Sequence, residues 1–131
     1  MINVELINIQ IPNQPPELYY GNKEYKERLD FDSNIKKKYI DKVLNKKASQ
    51  MRFRLIEGDG KALYMIGIKD NGDACGISLN ILLQSLFFFI KITNIIGAHI
   101  KIIRIYRGYN GYVCSIRVYI NQSDYENLIC L

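Results

Sequence analysis

Cationic and aromatic side chains crowd the last third of this sequence. Lys101, Arg104, Arg107 and Arg117 interleave with Tyr106, Tyr109, Tyr112 and Tyr119 around Gly108-Tyr109-Asn110-Gly111. A guanidinium grips phosphate through two parallel donors and a tyrosine ring stacks on an unpaired base, so this mixture suits RNA. Arg104, Arg107, Tyr109 and Arg117 are the first candidates for nucleic-acid contact, and Lys101 belongs to the same set. A second basic run, from Lys36 to Arg54, lies along an expected helix, where Lys42 and Lys46 are the next candidates. A solvated lysine face and ordinary cross-strand tyrosine packing account for the same residues without any ligand.

Other chemistry finds little support. His99 is the only histidine, which excludes multi-histidine metal centres. Cys75, Cys114 and Cys130 are odd in number and lack CxxC spacing, so neither a disulfide framework nor a zinc site is expected, and a reducing compartment is. Glu24, Glu27, Asp70 and Asp73 could supply carboxylates to a two-metal nuclease, but Asp70 and Asp73 flank an Asn-Gly turn and are more simply turn formers. No G-x-x-x-x-G-K-[ST] loop occurs, and Gly58-Asp59-Gly60 follows a helix instead of a strand, the reverse of a dinucleotide-binding turn. No catalytic residue, metal site or cofactor is therefore assigned to this chain.

These side chains need a scaffold, and 131 residues suffice for one domain. With 48% hydrophobic and 24% charged residues the chain is globular, and a net charge of +5 suits a polyanionic partner. Pro12, Pro15 and Pro16 point to a leader or linker over 1–20 despite a loose alternation of Ile2, Val4 and Leu6. A single α+β domain is expected over 21–120, then a tail or linker over 121–131. Within it, 24–29 reads as a short strand. Asp32 or Ser33 would cap a helix with apolar positions 40, 43, 44, 48, 51 and 55. Residues 62–68 and 74–77 read as a hairpin through Asp70-Asn71-Gly72-Asp73, and 98–107 and 112–120 as a second. Between them Ser78 would cap, and Gly97 stop, a helix apolar nearly all round. Its stretch 81–96 is short for a bilayer span, so no membrane partner is expected; Phe87, Phe88 and Phe89 are a candidate protein interface. In the last strand Tyr112, Cys114, Ile116, Val118 and Ile120 should face inward, and Val113, Ser115, Arg117 and Tyr119 outward. The expected architecture is two helices packed on one face of a four- to five-stranded, mostly antiparallel sheet.

Several pieces, in order, resemble the amino-terminal region of the elongation-factor-like GTPases called GTP-binding protein 1 and GTP-binding protein 2. They are Glu24-Tyr25-Lys26, Gln50-Met51-Arg52-Phe53-Arg54-Leu55, Glu57-Gly58 with Gly60, Tyr64, Ile66-Gly67, Asp70-Asn71-Gly72 and Gly76. The resemblance implies a non-catalytic amino-terminal module of a cytoplasmic protein acting in translation, with GTP and Mg held by a downstream domain. This module would bind RNA or the ribosome, or dock on its own GTPase domain. The Glu-Tyr-Lys and Ile-Gly-Ile-x-Asp-x-Gly pattern is also similar to Schlafen-type Alba-like domains, which implies an Alba-like two-layer sandwich. It leaves open a stand-alone RNA-binding domain or a metal-dependent RNase using Glu24, Glu27 and Asp70. Leu18-Tyr19-Tyr20 stand where nuclease members carry a second glutamate.

Overall fold

The computed structural model describes residues 2–32 and 34–129. Its centre is the last hairpin, β4 (His99–Gly108) and β5 (Gly111–Tyr119), paired antiparallel from His99↔Tyr119 to Gly108↔Gly111. β3 (Lys61–Ile66) runs antiparallel along β5, β2 (Lys23–Lys26) is parallel to β3, and β1 (Asn3–Gln10) is parallel to β4. The order is β1-β4-β5-β3-β2. The α+β two-layer sandwich is as expected, but the sheet is mixed, because β1 and β2 are each added at an edge by a long connection and only β4–β5 closes through a tight turn.

One face of the sheet carries the helices. α1 (Lys37–Glu57) buries Leu44, Ala48, Met51 and Leu55, the apolar stripe that its helical spacing requires. It starts later than expected. The Asp32 carboxylate accepts from Asn34 N at 3.0 Å to form a local turn, Lys36 is the N-cap with no side-chain cap bond, and Ser33 lies outside the described residues. α2 (Leu79–Ile96) is capped as expected: Ser78 Oγ accepts from Ile81 N, and Gly97 closes the helix in the left-handed region at φ 71°. By length and composition α2 could span a membrane; here Leu82, Phe89 and Ile92 are buried against the sheet. α3 (Gln122–Ile129) follows β5 within the stretch expected as a tail and packs on α1, where Arg52 Nη2 donates to Leu128 O at 2.9 Å.

The opposite face is half covered. Residues expected as a leader supply β1 and then a strap over 11–17 that crosses this face. Ile11 N donates to Arg107 O, Gln14 N to Gly72 O and Glu17 N to Asp70 O, while Asn13 Oδ1 accepts from Ala74 N. The strap and the 67–77 loop bury a second apolar cluster of Tyr25, Met65, Ile68, Ala74 and Val113. Val113 is therefore buried, not outward-facing. The return strand expected at 74–77 is reduced to one bridge, Ile77↔Tyr112, because the loop packs across the hairpin instead of along β3. This packing explains Gly108 and Gly111. A Cβ on Gly108 would meet Cys75 O at 2.4 Å, and one on Gly111 would meet Ile77 N at 2.7 Å. Their role is close approach, since neither has a positive φ.

Candidate nucleic-acid interface

The motif residues found in the sequence converge on a buried polar lock. Arg54, on α1, is 3% exposed, and its guanidinium donates at 2.8 Å to Glu24 Oε1, to Gly21 O and to Leu18 O. Lys26 Nζ lies 3.2 Å from the other Glu24 oxygen and donates to Gln50 Oε1 at 3.0 Å. Alternation along β2 places Glu24 and Lys26 toward α1 and Tyr25 toward the strap. There Tyr25 Oη donates to Pro15 O and its N–H to the Glu17 carboxylate, whose pKa is raised chiefly by burial. The Glu-Tyr-Lys and Gln-x-x-x-Arg residues thus tie β2, α1 and the end of the strap together. Glu24 is neutralised by a guanidinium and an ammonium, the opposite of a carboxylate open to a cation. Among the described residues no three His, Cys, Asp or Glu side chains gather as a metal site.

The glycines of the same motif act by space. Gly76 has φ +91° and a Cβ there would lie 2.7 Å from Gly111 C and Tyr112 N. Gly67, at φ +92°, would meet Tyr112 O at 2.7 Å. These contacts let the loop after β3 lie on the β4–β5 hairpin.

The candidate contact residues separate into several places. Lys101 and Arg117 share the open half of the sheet, opposite the helices. A register shift between Ile100 and Ile102 marks a β-bulge beside Lys101, and Lys101 and Arg117 line one cleft. Arg104 pairs with Ser115 on this face, but its Nε donates to Glu5 Oε2 at 3.1 Å, which reduces its charge toward a ligand. Arg107 pairs with Tyr112 at the hairpin end, in the register of the other face. Tyr109 is engaged, its Oη donating to Asp73 Oδ1 at 2.9 Å, and this hydrogen bond pushes its pKa up to about 12. Lys42 and Lys46 lie on α1, and Lys46 borders a separate hollow with Glu17, Glu24 and Arg54. Phe87, Phe88 and Phe89 do not form one surface. Successive helical residues turn by about 100°, so Phe87 is 56% exposed, Phe88 packs edge-on against Phe31, and Phe89 is fully buried edge-on against Tyr64.

The cleft on the open face has a volume of 590 Å³. β3 contributes Lys61, β4 Lys101, and β5 Arg117 and Tyr119; Asn22 and Gln122 close its end, with Asp59 as the acid among its lining residues. Its three cations are solvent-exposed. Tyr119 stands beside His99 with ring centroids 5.2 Å apart. Lys61 and Asn22 have no binding signal in the sequence, and Tyr119 enters there only as one of four tyrosines among the basic residues. The signal was present for Tyr119, which shares strand parity with Arg117, but Lys61 enters only through the pairing Lys61↔Tyr119 across sheet neighbours far apart in the chain.

Over 93 residues, 71% of its length, the chain is 34% identical to GTP-binding protein 2 of Mus musculus and equally to that of Homo sapiens. It spans 14% of the length of those proteins. It is 37% identical over 78 residues to an uncharacterized protein of Acanthamoeba polyphaga mimivirus, a match covering 59% of this chain and 38% of that one. No family model matches the chain. No solved structure matches it either. The similarity makes the chain homologous to a segment of GTP-binding protein 2.

Proposed function

We propose that this chain is a non-catalytic, amino-terminal RNA-binding module of an elongation-factor-like GTP-binding protein. The observation that carries the RNA reading is the convergence of Lys61, Lys101 and Arg117 from three neighbouring strands on one open cleft beside Tyr119. Three exposed cations against one carboxylate favour a polyanion, and an exposed tyrosine at the same place favours one with accessible bases. The similarity to GTP-binding protein 2 supports a larger setting in a GTP-binding protein; in this reading GTP and Mg belong to a downstream domain, the protein is cytoplasmic, and its RNA is ribosomal or messenger. The triple variant Lys61→Gln/Lys101→Gln/Arg117→Gln tests the reading in RNA titrations at two salt concentrations. Loss of three phosphate contacts should lower affinity and flatten the slope of log K against log salt by about 2 for single-stranded RNA. Unchanged affinity and slope would remove the sheet face as the interface.

A second reading, docking on a GTPase domain, rests on α2. Leu79, Leu83, Phe87 and Ile90 form an exposed apolar stripe on it, and Ile2 beside Ile90 continues this surface toward β1. The remaining length of the GTP-binding protein 2 relatives supplies the kind of domain that would cover it. Leu83→Ser/Phe87→Ser should then weaken association of this chain with such a domain while leaving RNA affinity unchanged; retained association would end this reading.

A further inference from the structure

The cleft on the open sheet face is shaped for more than a phosphate backbone. Its volume of 590 Å³ lies in the range of pockets that take a small organic ligand. Its chemistry is divided. Lys61, Lys101 and Arg117 provide cations, and Tyr119, a residue 37% exposed with His99 beside its ring, provides an aromatic side chain in the same cleft. Asn22 and Gln122 add side-chain amides, groups able both to donate to and to accept from a base edge. Asn22 is held in place, since its Nδ2 donates to Lys61 O at 3.3 Å and its carbonyl accepts from Leu63 N at 2.9 Å. Asp59 stands on the rim, within reach of the Tyr125 hydroxyl at 3.4 Å, and its charge disfavours phosphate at that end.

Resting on the RNA reading, we infer that this cleft takes one unpaired nucleotide of an RNA strand, its base against Tyr119 between the two amides and its flanking phosphates on Lys61, Lys101 and Arg117. A base inside a duplex is stacked on both sides and offers no free face to a tyrosine, so the site selects single strands, loops or bulges over continuous helices. Lys61 and Arg117 lie on neighbouring antiparallel strands, with Arg117 opposite Leu63 and Lys61 opposite Tyr119, so cations border the ring from two strands.

The experiment is a fluorescence-anisotropy titration of the full chain with a labelled ten-nucleotide RNA, alone and annealed to its complement, at fixed salt. The single strand should bind at least tenfold more tightly. Tyr119→Ala should abolish that preference while weakening duplex binding less than twofold, and Tyr119→Phe, which keeps the ring, should retain it. Circular dichroism of each variant checks that the fold is intact, as expected for a side chain outside the core. Equal affinity for both RNAs, or a preference that survives Tyr119→Ala, would overturn the nucleotide cleft and leave the RNA reading standing. Binding of neither RNA would overturn both.

Discussion

Replacing Arg54 by alanine tests whether the shared motif residues act as a structural lock. The guanidinium is 3% exposed and makes three hydrogen bonds of 2.8 Å, one of them to a Glu24 carboxylate whose side chain is 9% exposed. Removing one partner of a buried ion pair costs about 3–5 kcal/mol, because the other charge stays buried. Lys26, 3.2 Å from Glu24, offsets part of this, which places the expected loss near the lower end, about 3 kcal/mol. Against a total stability of about 5–15 kcal/mol this is a large fraction, and it corresponds to a fall in Tm of about 10 °C. Urea unfolding followed by far-UV circular dichroism measures it, an unchanged m-value showing that the midpoint shift reports stability. Glu24→Leu/Arg54→Met should cost less than Arg54→Ala alone, since it removes both charges at once. An Arg54→Ala variant within about 1 kcal/mol of the parent would refute the lock, and so would a double variant as costly as the sum of its singles.

Other expectations are independent of that one. Gly76→Ala should cost about 3 kcal/mol or more in the same unfolding assay, since a Cβ would overlap the Gly111 and Tyr112 backbone at positive φ; a loss below 1 kcal/mol would contradict the close approach. Phe89→Ala should cost about 3–5 kcal/mol and Phe87→Ala within about 0.5 kcal/mol, a contrast that thermal melts resolve. Burial pushes the Cys114 thiol up to about 12 from an ordinary 9.0. The unfolded thiol ionises first, so stability that is fully present below pH 9 should decline as pH rises toward 12, by up to about 1.4 kcal/mol per pH unit from this group. Urea midpoints at pH 8, 9 and 10 under reducing conditions should show that decline, and Cys114→Ala should make it shallower, the remainder coming from tyrosines such as Tyr64 whose pKa burial also raises.

What could be read from the sequence was what is local. The α1 stripe, the Ser78 and Gly97 boundaries of α2 and the β4–β5 hairpin each rest on residues within a few positions of one another, and each is present. Non-local pairing was illegible. β1 pairs with β4 about a hundred residues away, and both its faces are largely exposed, so its short alternation carried no burial signature and the prolines beyond it pointed to a leader. Val113 was placed outward by alternation because nothing in β5 announces the strap that covers it. The basic face met the same limit. Glu5 lies 99 residues from Arg104, and their exposed ion pair, which lowers the charge Arg104 offers a ligand, is invisible to local pattern. The residues of the family resemblance were conspicuous in the sequence, but Arg54, Glu24, Gly67 and Gly76 mark how the elements are fastened, while the cleft is built largely from residues outside that pattern.

The strand order also sets a timetable for synthesis. β1 is made early, yet its parallel partner β4 begins only at His99, and β3 finds β5 only when residues up to Tyr119 have been made. Since β4 and β5 are the middle of the sheet and follow the other three strands in the chain, the amino-terminal segment with Val4, Leu6 and Ile9 must wait on the ribosome without a sheet to join. Slow codons or pauses before residue 119 would prolong the time for which both hydrogen-bonding edges of this segment stay open, where the folded sheet leaves one, and aggregation of nascent chains would be the consequence.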